Sequence, residues 1–204
     1  MAQNKKWGIN YKDDKDMYVV LFSSRNKDNS SLDGFKERRQ SFITTKTPQE
    51  LKGEFTLFLN EGLENEMSRM YYSVNSRDKK RVKNQLIHFL IDEDDFNITS
   101  INSKLAGIAS LELNRKSKKW LFDFDNEDGL LCIDFMNDIK KIDHGVNVER
   151  HMTPHGFAVI TDRGFDTRNL MNKWSNCVTL IKDGLLCVGW GVNKNFEEDE
   201  INEL

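Results

Sequence analysis

The sequence predicts a single α+β domain in which helices pack on a mixed or antiparallel β-sheet. Strand-like and helix-like segments interleave in the first half of the chain, and strands joined by short turns dominate the second half. The 204 residues are enough to bury one core, and 13 Phe and 4 Trp argue against wholesale disorder. A charged fraction of 31% indicates a well-solvated surface around that core.

Seven short segments are predicted to be strands, because they are apolar, alternate between apolar and polar residues, or are rich in β-branched and aromatic residues. They cover residues 17–23, 69–77, 120–125, 146–153, 156–161, 177–182 and 185–190. The last two are predicted to form a hairpin about Asp183-Gly184, because Asp-Gly favours a two-residue turn. The polar residues 23–46 are predicted to be a loop.

Four segments have the apolar spacing of amphipathic helices. They cover residues 47–61, 78–90, 100–113 and 127–142. The first begins with a capping box, with Thr47 as the cap, Pro48 at the first helical position and Glu50 at the third. Asp78 is suited to cap the second helix.

The chain divides into an arm, a domain and a tail. Residues 1–46 are predicted to be an N-terminal strand and polar arm, residues 47–192 the α+β domain, and residues 193–204 an acidic, disordered tail. The tail has five acids and no base after Phe196, whereas the net charge of the whole chain is −3, so the remainder is weakly positive. That charge is compatible with a nucleotide or nucleic-acid partner without requiring one.

Cysteine usage and the N-terminal sequence indicate a cytoplasmic protein. Cys132, Cys177 and Cys187 have no metal-like spacing, and we expect them to be reduced core residues. The N-terminus is polar and charged, unlike a signal peptide, and no apolar run is long enough to cross a bilayer. We therefore expect no membrane partner, and the sequence leaves the oligomeric state open.

A pair of carboxylates ends the strand predicted over residues 120–125. Because residues two apart point to the same face of a strand, Asp123 and Asp125 are predicted to project together while Phe122 and Phe124 are buried. Two neighbouring carboxylates repel each other unless a cation lies between them, and such oxygen ligands suit Mg²⁺ or Mn²⁺. The alternative is a solvated strand end whose acids face water.

Three further features provide candidate binding residues. Alternation over residues 69–77 predicts one polar face, which could bind phosphate and sugar or be an ordinary exposed sheet face. Its members are Arg69, Tyr71, Ser73, Asn75 and Arg77. Thr153 and His155 occupy a tight turn that could hold an anion. Asp183 could complete the metal site from a neighbouring strand, although Asp-Gly is equally a turn sequence.

Taken in order, these features resemble the archaeo-eukaryotic primase superfamily, particularly its small viral and plasmid-borne primase-polymerases. That family has a strand of the type aromatic-x-x-x-Asn-x-Arg, matched by residues 71–77, and a hydrophobic strand ending in Asp-x-Asp, matched by residues 122–125. A turn and strand bearing a small residue, Gly and His is matched in part by residues 153–158. A later strand ending in an acid is matched by residues 181–183.

The resemblance implies an RRM-like sheet with helices packed on it and metal-dependent nucleotidyl transfer. Asp123 and Asp125, helped by Asp183, would be the catalytic residues and would bind two divalent ions, Mg²⁺ or Mn²⁺. Nucleoside triphosphate, nucleic acid or both would be the partners. The nucleotide- or nucleic-acid-binding residues would be Arg69, Tyr71, Asn75, Arg77, Thr153 and His155.

One departure from the family pattern favours a different function. Ala158 stands where the family has a phosphate-contacting histidine, two residues after the glycine, and His155 precedes that glycine instead. The alternative is a non-catalytic, viral-type regulator or inhibitor on the same fold, which binds nucleotide, nucleic acid or a protein. A more distant alternative is nucleotidyl transfer to Lys182, since Lys182-Asp183-Gly184 resembles the Lys-x-Asp-Gly motif of nucleotidyl-lysine ligases with one residue missing.

Overall fold

Helices and antiparallel strands alternate along the computed structural model, which describes residues 15–194 and the backbone of residues 202–203. The prediction of an α+β fold is confirmed. The strands form two antiparallel sheets, where the sequence suggested one. In order across the first sheet, the strands are β2 (Arg38–Thr44), β1 (Tyr18–Ser24), β3 (Met67–Ser73), β8 (Leu185–Val192) and β9 (Asn202–Glu203). In order across the second sheet, they are β5 (Val148–Thr153), β6 (Gly156–Thr161), β4 (Trp120–Phe124) and β7 (Val178–Ile181).

The first sheet is covered by helices on both faces. Helix α2 (Lys52–Asn60) contributes Phe55 and Phe58 to a cluster with Phe22 of β1 on one face. Its other face packs on α3 (Lys79–Asp92) and α4 (Ile101–Ala109).

Helices cover one face of the second sheet. Phe122 and Phe124 of β4 are buried against α5 (Gly129–Ile142) and α6 (Arg168–Trp174), which confirms the alternation predicted for this strand. The opposite face meets the first sheet, because Leu121, Ala158 and Ile160 share a cluster with Leu186 of β8.

Side-chain caps set the helix starts. The Thr47 amide and hydroxyl donate to Glu50 Oε2 at 2.7 and 2.9 Å, as expected of the predicted capping box, although the first turn, Gln49–Leu51, is a 3₁₀ helix. The carboxylate of Asp78 accepts from the amides at the start of α3, at 2.9 and 3.0 Å, so this cap is confirmed. Asp128 caps α5 in the same way, which starts that helix at Gly129.

The loop predicted over residues 23–46 is wrong where β2 forms. Arg38–Thr44 pairs antiparallel with the whole of β1, and α1 (Asn26–Asn29) lies before it. Strand β2 is at the edge of the sheet, where polar and charged side chains are tolerated, so it lacks the apolar alternation that would have identified it.

The hairpin predicted about Asp183-Gly184 is also wrong. Strand β7 pairs with β4 in the second sheet and β8 pairs with β3 in the first, so these two residues carry the chain from one sheet to the other. The crossover is held in place by residues that follow β3. The amide of Val74 donates to Gly184 O at 3.1 Å, and Arg77 Nη1 donates to Asp183 Oδ2 at 2.7 Å.

The strand predicted over residues 69–77 ends at Ser73, after which the chain turns into the junction between the sheets. Most of the predicted acidic tail lies outside the described residues, and Asn202–Glu203 pairs with Gly189 and Trp190 of β8. Within residues 15–194, no helix combines the length and apolar character needed to cross a membrane.

Replacement of Asp183 by Ala is expected to lower the free energy of unfolding by about 3–5 kcal/mol, because it leaves the Arg77 charge buried without its partner. The Arg77 and Asp183 side chains are only 1% and 8% exposed. Urea denaturation of Asp183→Ala measures the loss. Asp166→Ala, which removes an exposed ion pair with Arg168, is the control and should behave like the wild type. Equal effects of the two substitutions would contradict a structural role for the buried pair.

Candidate functional site

A cleft of about 430 Å³ lies where the open face of the second sheet meets the first sheet. It collects six of the nine residues that the sequence singled out, although they come from different elements. Its polar lining is Arg25, Lys27, Arg69, Tyr71, Asp123, Asp125, Thr153 and His155. Leucines, Ile181, Ala158 and Cys187 form the rest of the wall.

The carboxylate pair enters the cleft from β4. Asp123 is half-buried, and Asp125 is exposed just beyond the strand end, where its amide donates to Cys177 O at 2.8 Å. Burial raises the pKa of Asp123 above its ordinary value, the charge of Asp125 raises it further, and Lys27 opposes both effects. The charged form of Asp123 is therefore disfavoured in the folded protein, and the second carboxylate on the same face adds to that cost.

The chemistry of this donor set fits a divalent cation that is only partly enclosed by protein. Across the described residues, no three His, Cys, Asp or Glu side chains are grouped to hold a metal ion. Magnesium, however, is commonly bound through one or two carboxylates, with water and substrate phosphates as its other ligands. Asp123 and Asp125 match that pattern, because they open into a cleft lined with cationic side chains suited to phosphate.

Two arginines on one side of the cleft share a buried carboxylate. Asp28 in α1, with a side chain 2% exposed, accepts from Arg25 Nε at 2.9 Å and from Arg69 Nη2 at 2.6 Å. Helix α1 is tied to β3 because Asn29 exchanges hydrogen bonds with the Met67 backbone, at 2.6 and 2.9 Å. Two arginines on one carboxylate leave a net positive charge beside the carboxylate pair.

Arg69 also connects the two sheets. Its Nη2 lies 3.1 Å from Nε2 of His155, on the β5–β6 turn. Since a guanidinium has no acceptor, His155 Nε2 is the acceptor of this bond. The Arg69 Nε is buried and has no hydrogen-bond partner among the described residues, so a donor remains for a ligand.

The turn that carries His155 depends on Gly156. This residue has a φ of 147°, and a Cβ there would lie 2.3 Å from the carbonyl oxygen of Phe124 and 3.0 Å from the amide of Asn126. Only glycine allows the turn to approach the end of β4 so closely. Thr153 and His155 are thereby held beside the strand end that carries Asp125.

Three predicted site residues lie elsewhere. Asp183 follows β7, and because β7 runs antiparallel to β4, its end lies beside the start of β4 and far along the strand from Asp125. Asp183 instead accepts from Asn75 Nδ2 at 3.1 Å and from Arg77, so all three residues serve the junction between the sheets. The structure does not bring Asp183 to the carboxylate pair, and the expectation that it completes the metal site is corrected.

Arg25, Lys27 and Asp28 line or support the cleft, although the sequence analysis missed them. They lie within the polar stretch that was predicted to be a loop, and no motif distinguishes them from other exposed charges. The Arg-x-x-Asp spacing, which allows the i,i+3 ion pair of Arg25 and Asp28, was the one available signal.

Ala158 faces the cleft directly beside Asp123. The two residues are paired in register between β6 and β4, and Ala158 is 3% exposed. A histidine at this position would bring an imidazole next to the carboxylate pair, and alanine brings only a methyl group.

Comparisons of the chain with protein-family models, curated proteins and solved structures each found no match.

Asp123→Asn is expected to stabilise the folded protein at neutral pH when EDTA removes divalent ions. The pKa of Asp123 is raised on folding, so the wild type loses stability as the pH rises above the ordinary value of 3.8, and the asparagine variant does not. The difference should vanish near and below that pH, where the carboxyl group is protonated in both states. Urea denaturation from pH 3.5 to 7 measures it, with the exposed Asp94→Asn as control. If Asp123→Asn raises the free energy of unfolding at neutral pH no more than Asp94→Asn does, the raised pKa of Asp123 is contradicted.

Proposed function

We propose that the cleft binds a nucleoside triphosphate together with Mg²⁺ or Mn²⁺. The observation that carries this proposal is that Asp123 and Asp125 share one cleft with Arg25, Lys27 and Arg69. Carboxylates that repel each other favour a cation, and cationic side chains around them favour the phosphates that such a cation binds. Neither the carboxylates alone nor the cationic side chains alone would distinguish a nucleotide from any other anion.

Each side chain has a distinct part in this proposal. Asp123 and Asp125 would hold the cation, and Lys27 and Arg69 would neutralise phosphate oxygens, with the unpartnered Arg69 Nε as one donor. Tyr71 is half-buried beside Arg69 and presents an aromatic surface for the sugar or base. A bound divalent ion would supply charge neutralisation and activation of an attacking hydroxyl.

The reaction that this arrangement would serve is nucleotidyl transfer, as the resemblance to primase-polymerases implies. A 3′-hydroxyl would attack the α-phosphorus in line, form the new phosphodiester bond and release pyrophosphate. The protein's own contribution would be to position the triphosphate, because the charged residues converge from both sheets on one cleft.

A second candidate is a non-catalytic nucleotide-binding protein on the same fold, and Ala158 favours it. The residue paired with Asp123 offers no hydrogen bond to a phosphate, and His155 is engaged by Arg69 through Nε2. Such a protein would bind nucleotide and cation and act through a partner. The two candidates share the binding site and differ in the chemical step.

Basic residues at the start of α3 and before β4 support nucleic acid as a further partner. Basic residues at the start of α3 adjoin those that precede β4, since Arg81 Nη1 donates to Leu113 O at 2.7 Å. This basic surface consists of Lys79, Lys80, Arg81, Lys83, Arg115, Lys116, Lys118, Lys119 and Lys182. The first turn of α3 contains lysines and no acid, apart from the cap Asp78 that precedes it. A polyanion would neutralise the charges of these lysines.

The double variant Asp123→Ala/Asp125→Ala is expected to lose Mn²⁺-dependent binding of a labelled nucleoside triphosphate by at least about tenfold, because the cation ligands are gone. Fluorescence anisotropy with a labelled triphosphate, in Mn²⁺ and in EDTA, measures this. The matched control is Asp92→Ala/Asp94→Ala, which removes two exposed carboxylates at the end of α3. Equal binding of the triphosphate by the two variants would contradict the proposed cation site.

Primer extension with the same samples separates the two candidates. Extension by the wild type that is lost in Asp123→Ala/Asp125→Ala would establish nucleotidyl transfer despite Ala158. Metal-dependent binding without extension would establish the non-catalytic form. A well-folded wild type that neither binds nor extends would refute both.

Lys80→Ala/Lys118→Ala is expected to weaken binding of a labelled single strand, since both lysines are exposed members of the basic surface. Removing one lysine that neutralises a phosphate should reduce the magnitude of the slope of log K against log salt concentration by about 0.7. Titrations at several salt concentrations measure that slope. Lys36→Ala/Lys140→Ala changes the net charge equally at exposed sites away from this surface, and an identical slope change in both variants would contradict the assignment.

A further inference from the structure

A second cavity of about 390 Å³ lies on the other side of the first sheet from the cleft. Alternate residues of β3 line the two spaces, with Arg69 and Tyr71 in the cleft and Met70 and Tyr72 in the cavity. Of the described residues, Leu186 alone lines both. The cavity is therefore a separate site that the proposed function does not use.

The wall of this cavity combines apolar, aromatic and cationic groups. Met70 and Ile160 belong to its apolar part, and Tyr18 and Tyr72 form an aromatic pair with ring centroids 4.7 Å apart. Lys119 adds a positive charge at its edge. The volume lies within the range of about 300–1,000 Å³ that is typical of small-molecule sites.

One polar atom in this wall lacks a partner. Nε2 of His151 is buried and makes no hydrogen bond to a described residue, and the nearest carboxylate oxygen, on Glu149, is 3.8 Å away. His151 lies on β5 opposite Ala158, on the face of the second sheet that is turned toward the first. A buried ring nitrogen without a partner, in a mostly apolar cavity, is a position at which a ligand's polar edge can bind.

We propose that this cavity is a second ligand site, which binds a mononucleotide. The base would lie in the apolar part beside the Tyr18–Tyr72 pair, with a ring nitrogen or exocyclic group hydrogen-bonded to His151 Nε2. The phosphate would lie at the edge, near Lys119. A flat aromatic group, a hydrogen-bonding edge and one anionic substituent are the three properties that the wall selects, and a mononucleotide combines them.

Calorimetric titration of Asp123→Ala/Asp125→Ala in EDTA tests this proposal, because the cation site of the cleft is then disabled. The probes are AMP, GMP, CMP and UMP, each beside its nucleoside. At least one mononucleotide is expected to bind, with an affinity about tenfold lower when His151→Phe is added, since one hydrogen bond is lost. His88→Phe, on the exposed face of α3, is the matched control and should leave the affinity unchanged.

Lys119→Ala supplies an independent measurement. It should weaken the binding of the mononucleotide and leave that of the nucleoside unchanged, since only the phosphate would contact this lysine. The proposal is overturned if no mononucleotide binds, if His151→Phe binds as tightly as the His88→Phe control, or if Lys119→Ala weakens nucleotide and nucleoside equally. If the cavity binds no mononucleotide, Mn²⁺-dependent binding of a triphosphate in the cleft is unaffected. Each proposal can therefore be refuted without the other.

Discussion

The arrangement of the two sheets depends on the buried ion pair between Arg77 and Asp183. Asp183 lies where the chain passes from β7 in the second sheet to β8 in the first, and Arg77 ends the segment that follows β3. The backbone of Arg77 also donates to Met17 O at 2.7 Å and pairs with Arg115. Taking both charges out of water is costly, so we infer that the pair contributes mainly by disfavouring other arrangements of this junction.

Asn75 extends that constraint to the strand that carries the carboxylates. Its side chain accepts from the Lys119 amide at 2.7 Å and donates to the Lys119 carbonyl at 3.0 Å, immediately before β4 begins. It also donates to Asp183 at 3.1 Å. The segment after β3 thus sets where β4 starts relative to the first sheet, and so where Asp123 lies relative to Arg69. Asn75, Arg77 and Asp183 do not line the cleft, but they connect the elements that carry its residues.

Local chemistry made part of this structure predictable from the sequence. The capping box at Thr47, the cap at Asp78 and the alternation through Phe122 and Phe124 all involve neighbours within a few residues, and each was confirmed. Gly156 belongs with them, because the composition of the turn predicted the β5–β6 hairpin. These effects act between residues that are close in the sequence, so they can be recognised from the order of the residues.

Pairing between distant segments was not predictable in the same way. Asp183-Gly184 has the composition of a hairpin turn, but its partners Arg77 and Val74 are about a hundred residues earlier in the chain. The same error assigned Asp183 to the metal site, since a strand end can lie at either edge of an antiparallel sheet. Arg25 and Asp28 were missed for a related reason, because only the position of α1 against β3 gives their charges a role.

If Arg69 binds a phosphate, as proposed, that contact has consequences for His155. Arg69 divides its donors between Asp28 and His155, and its Nε has no partner among the described residues. A phosphate that drew Nη2 away would free the imidazole nitrogen that Arg69 now occupies. Nε2 of His155 would then be free to accept a hydrogen bond within the cleft, from the turn before Gly156. Under the proposed function, binding of a phosphate would therefore determine whether this nitrogen of His155 is available within the cleft.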